Sequence, residues 1–283
     1  MKLLITGALG QLGQDLIRTC KARGLDYLPT DFSELDIACL PDVRRVVGEY
    51  GPDFILNCAA YNLVDQAEKE PYAAMRVNGI GPRNLAIVAE EQDVGLMHFS
   101  TDYVFDGKQR EPYTVMDRPQ PINRYGQSKL LGEDLVRSLC NRHFVVRLSW
   151  LFGGNGDNFV RKVLRWAKAA DTVKIVIDQV AKPTYSLDAA AAAIDILESG
   201  AYGLYHLTNA ESCSRFEWAY YIRDYANLKV ELEPVQSDAF PQTAARPVCS
   251  VLDNYPLEET IGHELPDWQD ATRRYLRELG AFS

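Results

Sequence analysis

The chain has 283 residues, 47% of them hydrophobic and 24% charged, which is ordinary for a globular protein with room for a large core. Its formal net charge of −9 excludes nucleic acid as the main partner, because phosphate binding on that scale needs clustered Lys and Arg, whereas an anionic small substrate needs only a few local cations. No run approaches the ~20 apolar residues of a membrane span, so no membrane partner is expected. The six scattered cysteines form no Cys-x-x-Cys pair, and no His-Glu-x-x-His is present, so neither bound metal nor a disulfide framework is indicated and a cytoplasmic location is expected.

The opening Met1-Lys2-Leu3-Leu4-Ile5 has the look of a signal peptide, but glycines and Gln11 interrupt it before an apolar core of sufficient length forms. Lys2–Thr6 reads instead as a strand, followed by Gly7, Gly10 and Gly13 and then by a helical pattern, Gly13–Arg23, with Leu12, Leu16 and Ile17 apolar. Strand, glycine turn and helix in that order are the setting of a dinucleotide fingerprint. The glycines let the backbone approach a pyrophosphate at a helix N-terminus. A second strand, Leu25–Thr30, ends before Asp31, about 20 residues beyond the glycines, where a carboxylate can bond the adenosine ribose. Its charge would repel a 2′-phosphate, and Phe32 to Leu40 contains no Arg or Lys to compensate, so the local chemistry leans towards NADH.

The alternation continues through strands Asp53–Asn57, Gly95–Ser100 and His143–Leu148 and helices Pro41–Tyr50, Pro82–Glu91 and Tyr125–Leu139. This predicts an α/β fold, a Rossmann-type doubly wound parallel sheet covered on both faces. Ligand should lie beyond the carboxyl ends of the strands, where Gly7, Cys58-Ala59-Ala60-Tyr61 and Ser100-Thr101 all fall. Tyr125-Gly-Gln-Ser-Lys129 opens the fourth of these helices. Residues four apart share a helix face, so Lys129 is expected to bring its ammonium near the Tyr125 hydroxyl. A phenol of ordinary pKa about 10 beside a fixed cation becomes more acidic, and can give a proton to a developing alkoxide near neutral pH.

Beyond residue 150 the pattern changes: a helix near Asn158–Ala169, a strand Lys174–Asp178, an alanine-rich helix Leu187–Leu197, a strand Gly203–Thr208 and a helix Arg215–Ala226. Pro234, Pro241, Pro247, Pro256 and Pro266 then punctuate a loop-rich tail before a last helix, Trp268–Leu279. Residues 1–150 are expected to form mainly the cofactor domain. Residues 151–283 are expected to form mainly a smaller C-terminal substrate lobe, with some segments returning to the sheet. The isolated His98, His143, His206 and His263 read as structural.

The extended short-chain dehydrogenase/reductases, and within them the dTDP-4-dehydrorhamnose reductase family, are what the chain resembles over nearly its whole length. The motifs are the Gly7–Gly13 loop, Asn57-Cys-Ala-Ala-Tyr61, Val64-Asp65-Gln-Ala-Glu68, Ser100-Thr-Asp-Tyr-Val-Phe-Asp-Gly107, Tyr125-Gly-Gln-Ser-Lys129, Ser149-Trp-Leu-Phe-Gly153, Asn158-Phe159, Asp178-Gln179, Pro183-Thr184 and Arg246-Pro247. The glycines and Tyr-x-x-x-Lys place the superfamily, and the Ser-Thr-Asp-Tyr-Val-Phe and Asp-Gln to Pro-Thr segments narrow it. The resemblance implies reduction of the C4 ketone of a dTDP-linked 4-keto-6-deoxy sugar, dTDP-4-dehydro-L-rhamnose, by NADPH or NADH.

In that reading Thr101, Tyr125 and Lys129 are catalytic. Thr101 orients the carbonyl, Tyr125 donates the proton, and Lys129 lowers the Tyr125 pKa while holding the nicotinamide ribose. Gly7, Gly10, Gln11, Leu12 and Gly13 meet the pyrophosphate, Asp31 the ribose, and Asp36 and Ile37 the adenine side. Cys58, Ala59, Ala60, Tyr61 and Ser100, with Tyr125 and Lys129, line the rest of the cofactor site. Thr101, Asp102, Tyr103, Trp150, Asn158 and Arg246 are implied for the substrate.

Some departures from the family pattern are visible. Cys249 stands two residues after Pro247 where an asparagine is usual, and Ala181 replaces a frequent glycine. A homodimer is compatible with the resemblance. Some relatives dimerise through magnesium, and although Asp15 matches one acidic ligand, Leu187 occupies another, which argues against that mode. Two alternatives share the fold. A nucleotide-sugar dehydratase or epimerase keeps the glycines and the Tyr-Lys pair, but related 4,6-dehydratases carry Asp-Glu after the threonine where this chain has Asp102-Tyr103. A non-catalytic regulatory subunit like that of methionine adenosyltransferase would bind cofactor without turnover, and the intact Thr101, Tyr125 and Lys129 argue against it.

Overall fold

Six short apolar runs pair side by side into one parallel sheet, and their order fixes where a ligand can bind. A computed structural model describes residues 1–281. The first half comprises β1 (Lys2–Thr6), α1 (Gln11–Arg23), β2 (Asp26–Thr30), α2 (Leu40–Tyr50), β3 (Phe54–Asn57), α3 (Val64–Lys69), α4 (Pro71–Met75), a π-helical turn (Arg76–Ile80), α5 (Gly81–Glu91), β4 (Gly95–Thr101), α6 (Arg124–Leu139) and β5 (His143–Leu148). The second comprises β6 (Leu151–Phe152), α7 (Phe159–Ala169), β7 (Thr172–Val176), β8 (Val180–Ala181), β9 (Thr184–Tyr185), α8 (Ser186–Ser199), β10 (Gly203–His206), β11 (Cys213–Ser214), α9 (Arg215–Tyr225), β12 (Glu231–Val235), α10 (Leu257–Ile261) and α11 (Trp268–Glu278).

The sheet runs β2-β1-β3-β4-β5-β10, every neighbouring pair parallel. The chain passes from β1 outward to β2 and then returns to the other side of β1 as β3. This reversal opens a crevice at the strand ends, the topological switch point at which doubly wound sheets bind ligands. Successive strand residues face opposite ways. Thus Leu3, Ile5, Met97, Phe99, Phe144 and Val146 pack under α1 and α8, while Leu4, Ile55, Leu96 and Val145 pack under α2, α5 and α6.

The two halves of the chain interleave. β10 completes the sheet and the alanine face of α8, Ala189 to Ala193, packs against α1. A separate core of Phe152, Val160, Ile175, Tyr185, Trp218, Trp268 and Tyr275 holds α7, α9 and α11 together above the strand ends.

One expectation needs correcting. Pro234 does not mark a loop but lies inside β12, which pairs in parallel with β7. The Val235 carbonyl accepts from the Ile177 N–H, so by strand alternation residue 234 faces outward, where a missing N–H removes no ladder bond. Pro29 in β2 is the same case, because the Thr30 carbonyl accepts from the Ala8 N–H and so turns residue 29 to the open edge.

Helix α6 is fixed to the sheet by a buried ion pair. The Arg147 guanidinium on β5 donates to Glu133 through Nη2 at 2.6 Å and Nε at 3.0 Å, and the Ser100 hydroxyl on β4 donates to the same carboxylate. Both charged side chains are at most 1% exposed, so each neutralises a partner that water cannot reach. Arg147→Met, which strands the Glu133 charge, is expected to lower the unfolding free energy by about 3–5 kcal/mol. Combining it with Glu133→Leu should recover a large part of the loss. Urea denaturation of the single and double variants tests this, and an additive double variant would remove the pairing argument.

Candidate active site

A cleft of about 800 Å³ opens at the switch point, lined from one side by the sheet and from the other by α7 and α9. Its floor begins at the glycine turn. Gly7 takes a φ of +65°, and a Cβ there would lie 2.5 Å from the Ala59 backbone nitrogen, so only glycine lets β1 and β3 close up at the crevice. Helix α1 starts at Gln11, after a Gly10 N-cap that has no side chain to bond it, and its first turn carries no acidic residue. Its leading N–H groups are thus left facing the cleft, a ready anion site that fits a dinucleotide pyrophosphate.

At the outer end, Asp31 is held by the N–H groups of Leu9 (3.0 Å) and Phe32 (2.8 Å). Asp36, also on the lining, is paired with Arg76. The far wall, Cys58 to Tyr61, is clamped by Asn78 from the π-helical turn. The Asn78 amide accepts from the Tyr61 N–H (2.8 Å) and donates to the Tyr61 carbonyl (2.9 Å) and the Ser128 hydroxyl (2.9 Å).

The reactive groups sit where β4 ends and α6 begins. Asn123 caps α6 by accepting from the Gly126 N–H at 2.7 Å. Gly126 brings the first turn so close that a Cβ would lie 2.2 Å from the Tyr103 carbonyl. This presses Tyr125 against the turn Asp102–Val104, with its ring edge-on to Tyr103 at 5.8 Å. Burial pushes the Tyr125 phenol up from its ordinary value, while hydrogen bonding with Thr101 works the other way.

Here the geometry departs from expectation. The Lys129 ammonium bonds the Phe99 carbonyl at 2.6 Å, burial is the largest influence on the phenol, and burial brings Lys129 itself down to about 8. The reason is desolvation, which acts on both groups and favours the neutral form of each. A protonated phenol at neutral pH is what a proton donor requires.

Thr101 donates to Asp102 at 3.1 Å and accepts from the Tyr103 N–H at 3.2 Å, and the Ser250 hydroxyl donates to Asp102 at 2.5 Å. Asp102 is 2% exposed, and burial pushes its carboxyl up to about 6, against the bonds from Ser250 and Thr101. Trp150, across the cleft, has a φ of +43°. A bulky residue in that left-handed region is strained by about 1–2 kcal/mol. Stacking of its ring on Trp218, 5.9 Å away and within 9° of parallel, holds it there.

Every residue expected at the cofactor lines this cleft, as do Thr101, Asp102, Tyr103, Tyr125, Lys129 and Trp150. Two residues implied for the substrate do not. Asn158 caps α7, and its amide is occupied by the Tyr275 hydroxyl (3.0 Å) and Gln11 Oε1 (3.2 Å). Arg246 is ion-paired with Asp65 at 2.7 Å, beside the cleft and close enough to Tyr103 and Arg215 to act on both electrostatically. Conversely, Arg215 lines the cleft without having been expected there, because nothing in the local pattern of α9 shows that its first turn faces Trp150. Among the described residues no cluster of three or more His, Cys, Asp or Glu could hold a metal, and no helix is long and apolar enough to cross a membrane.

The Asp102 environment predicts a pH-dependent stability. Its folded pKa, about 6, lies above the ordinary 3.8, so the contribution is fully present below pH 3.8 and is lost as pH rises through 6. At about 1.4 kcal/mol per pKa unit, ionisation costs the fold on the order of 3 kcal/mol by pH 8. Asp102→Asn removes that cost, so its stability relative to wild type should improve steadily between pH 4 and 7. Denaturant unfolding across that range checks it, and a pH-independent difference would show that Asp102 ionises as freely as in water.

Comparison with known proteins agrees with this geometry. The family model described as "RmlD substrate binding domain" matches residues 1–281. A dTDP-4-dehydrorhamnose reductase of Aggregatibacter actinomycetemcomitans is 39% identical, over 96% of this chain and 97% of that one. The crystal structure of dTDP-4-dehydrorhamnose reductase from Bacillus anthracis in complex with NADP superposes with a TM-score of 0.94 at 40% identity, covering 98% of this chain and 99% of that one. The corresponding enzyme of Clostridium acetobutylicum gives a TM-score of 0.96 at 36% identity, covering 99% and 100%. Glycine turn, Tyr-Lys helix and the full-length likeness lead to one assignment: the chain belongs to the dTDP-4-dehydrorhamnose reductase family.

Proposed function

We propose that the protein reduces the C4 ketone of dTDP-4-dehydro-L-rhamnose to give dTDP-L-rhamnose, with NADPH or NADH as reductant. The carrying observation is that one cleft joins an uncapped glycine-turn helix to Thr101, Tyr125 and Lys129. When bound, the nicotinamide cofactor supplies a hydride to the ketone carbon. The residues of the chain do the rest. Gln11 and Leu12 would hold the pyrophosphate through backbone N–H groups, with Gly10, whose own N–H donates to the Gly7 carbonyl at 3.0 Å, letting it approach; Asp31 would hold the adenosine ribose, and Ala59 to Tyr61 the nicotinamide half. Lys129 holds the second ribose.

Tyr125, kept protonated by burial, gives its proton to the oxygen on which negative charge develops. The Thr101 hydroxyl orients that oxygen, and Trp150 walls the sugar. The cleft offers no second acid beside Asp102 of the kind a dehydration needs, since the other lining carboxylates, Asp31 and Asp36, lie at the adenosine end.

Tyr125→Phe is expected to keep the cofactor dissociation constant within about twofold while lowering kcat by about 10² or more, the scale of a lost general acid. Near-normal turnover would remove the proton-donor role. Cofactor binding by the wild type without any oxidation in the presence of the keto sugar would favour a regulator.

Asp31 carries a further prediction. Its carboxylate would face the adenosine ribose and repel a 2′-phosphate, and Phe32 to Leu40 holds no Arg or Lys to compensate, so kcat/KM should be higher with NADH than with NADPH. Asp31→Asn, which keeps an acceptor for the Leu9 N–H, should move that ratio towards NADPH by about tenfold, the effect of removing one close charge. A wild-type preference for NADPH would overturn this reading of Asp31.

A further inference from the structure

Three cations line the cleft, and two are engaged within the protein. Lys129 bonds the Phe99 carbonyl, and Lys162 pairs with Asp157 at 3.5 Å. The third, Arg215, has no side-chain hydrogen bond or ion pair with any described residue. Its guanidinium instead lies over aromatic faces, with Cζ 3.5 Å from the centre of the Trp150 ring, 4.8 Å from Phe159 and 5.7 Å from Trp218. Burial brings its pKa down to about 10, so the cation sits where water solvates it poorly.

A guanidinium stacked on a ring is fixed in plane while its N–H edge stays free, the geometry that suits bidentate contact with phosphate oxygens. The stack also explains how Trp150 is kept in its strained conformation, with Trp218 on one side and Arg215 against it. The cleft must receive two diphosphates if the substrate reading above holds. The first has its site at the N-terminus of α1, on the sheet side. On the lobe side the N-terminus of α9 is closed by its own capping box of Ser214 and Glu217, and what it presents to the cleft is the Arg215 side chain.

We propose that Arg215 is the anion anchor for the diphosphate of the nucleotide sugar, binding it through the guanidinium edge while the flat face stays against Trp150. The inference rests on the substrate class proposed above. It gives the lobe a specific task, which is to grip the charged linker so that the sugar lies between Trp150 and Tyr125.

The test measures binding of dTDP to the protein saturated with NADP⁺, by calorimetry, for wild type, Arg215→Gln and Arg215→Lys, at low and at about 0.3 M salt. Arg215→Gln should weaken dTDP binding by about tenfold or more and flatten its salt dependence, with NADP⁺ affinity unchanged. Arg215→Lys should restore part of the affinity and the salt dependence, since it keeps the charge and loses the planar stack. If Arg215→Gln binds dTDP as tightly as wild type, the anchor is refuted and the substrate class stands. If Gln and Lys weaken binding equally with unaltered salt dependence, Arg215 only packs against Trp150 and the anchor is again refuted. A wild type that binds NADP⁺ but no dTDP overturns the substrate reading itself, and the inference with it.

Discussion

The pairing of Glu133 with Arg147 is the constraint on which the active geometry rests. Helix α6 carries Tyr125, Lys129 and Glu133 at successive intervals of four, so all three descend one face of the helix. The deepest is locked to β5 and, through Ser100, to the end of β4. Once that turn is pinned, the middle one places Lys129 on the Phe99 carbonyl and the upper one places Tyr125 beside Thr101. A buried ion pair is an expensive way to attach a helix, and apolar residues could do it more cheaply. What it adds is register: a carboxylate that must meet one guanidinium and one hydroxyl does not slide by a turn.

Protonation in the cleft follows from the same burial. Desolvation disfavours charge on Tyr125 and Lys129 together, which leaves the phenol protonated and the ammonium easily titrated. The familiar argument that a neighbouring lysine acidifies the tyrosine is therefore incomplete for this chain. In the arrangement described, the nearest influence on the phenol after burial is Thr101, itself tied to Asp102 and through it to Ser250 in the C-terminal segment.

Much of this was legible in the sequence because it depends on local pattern. The sheet strands and the long helices announce themselves by alternation, by helical spacing and by Gly or Pro punctuation, and they lie within a residue or two of expectation. The residues expected at the cofactor also share one cleft, since a glycine turn acts through its own backbone. What could not be read was anything set by contacts between distant segments. Asn158 and Arg246 look like free polar groups in one dimension, yet Tyr275, Gln11 and Asp65 occupy them in three. Arg215 looks like one more helix-start residue until the lobe packs it over Trp150, 65 positions earlier. The short strand β12 was hidden by its proline.

That proline and its counterpart in the large sheet bear on how the molecule behaves in company. Pro29 stands on the open flank of β2 and Pro234 on that of β12, each at a position whose backbone points away from its own ladder. An unpaired flank is a template on which another extended chain can grow. With a ring in place of one amide hydrogen, a visiting strand finds a gap in the row it would need, so both flanks are poor seeds for aggregation.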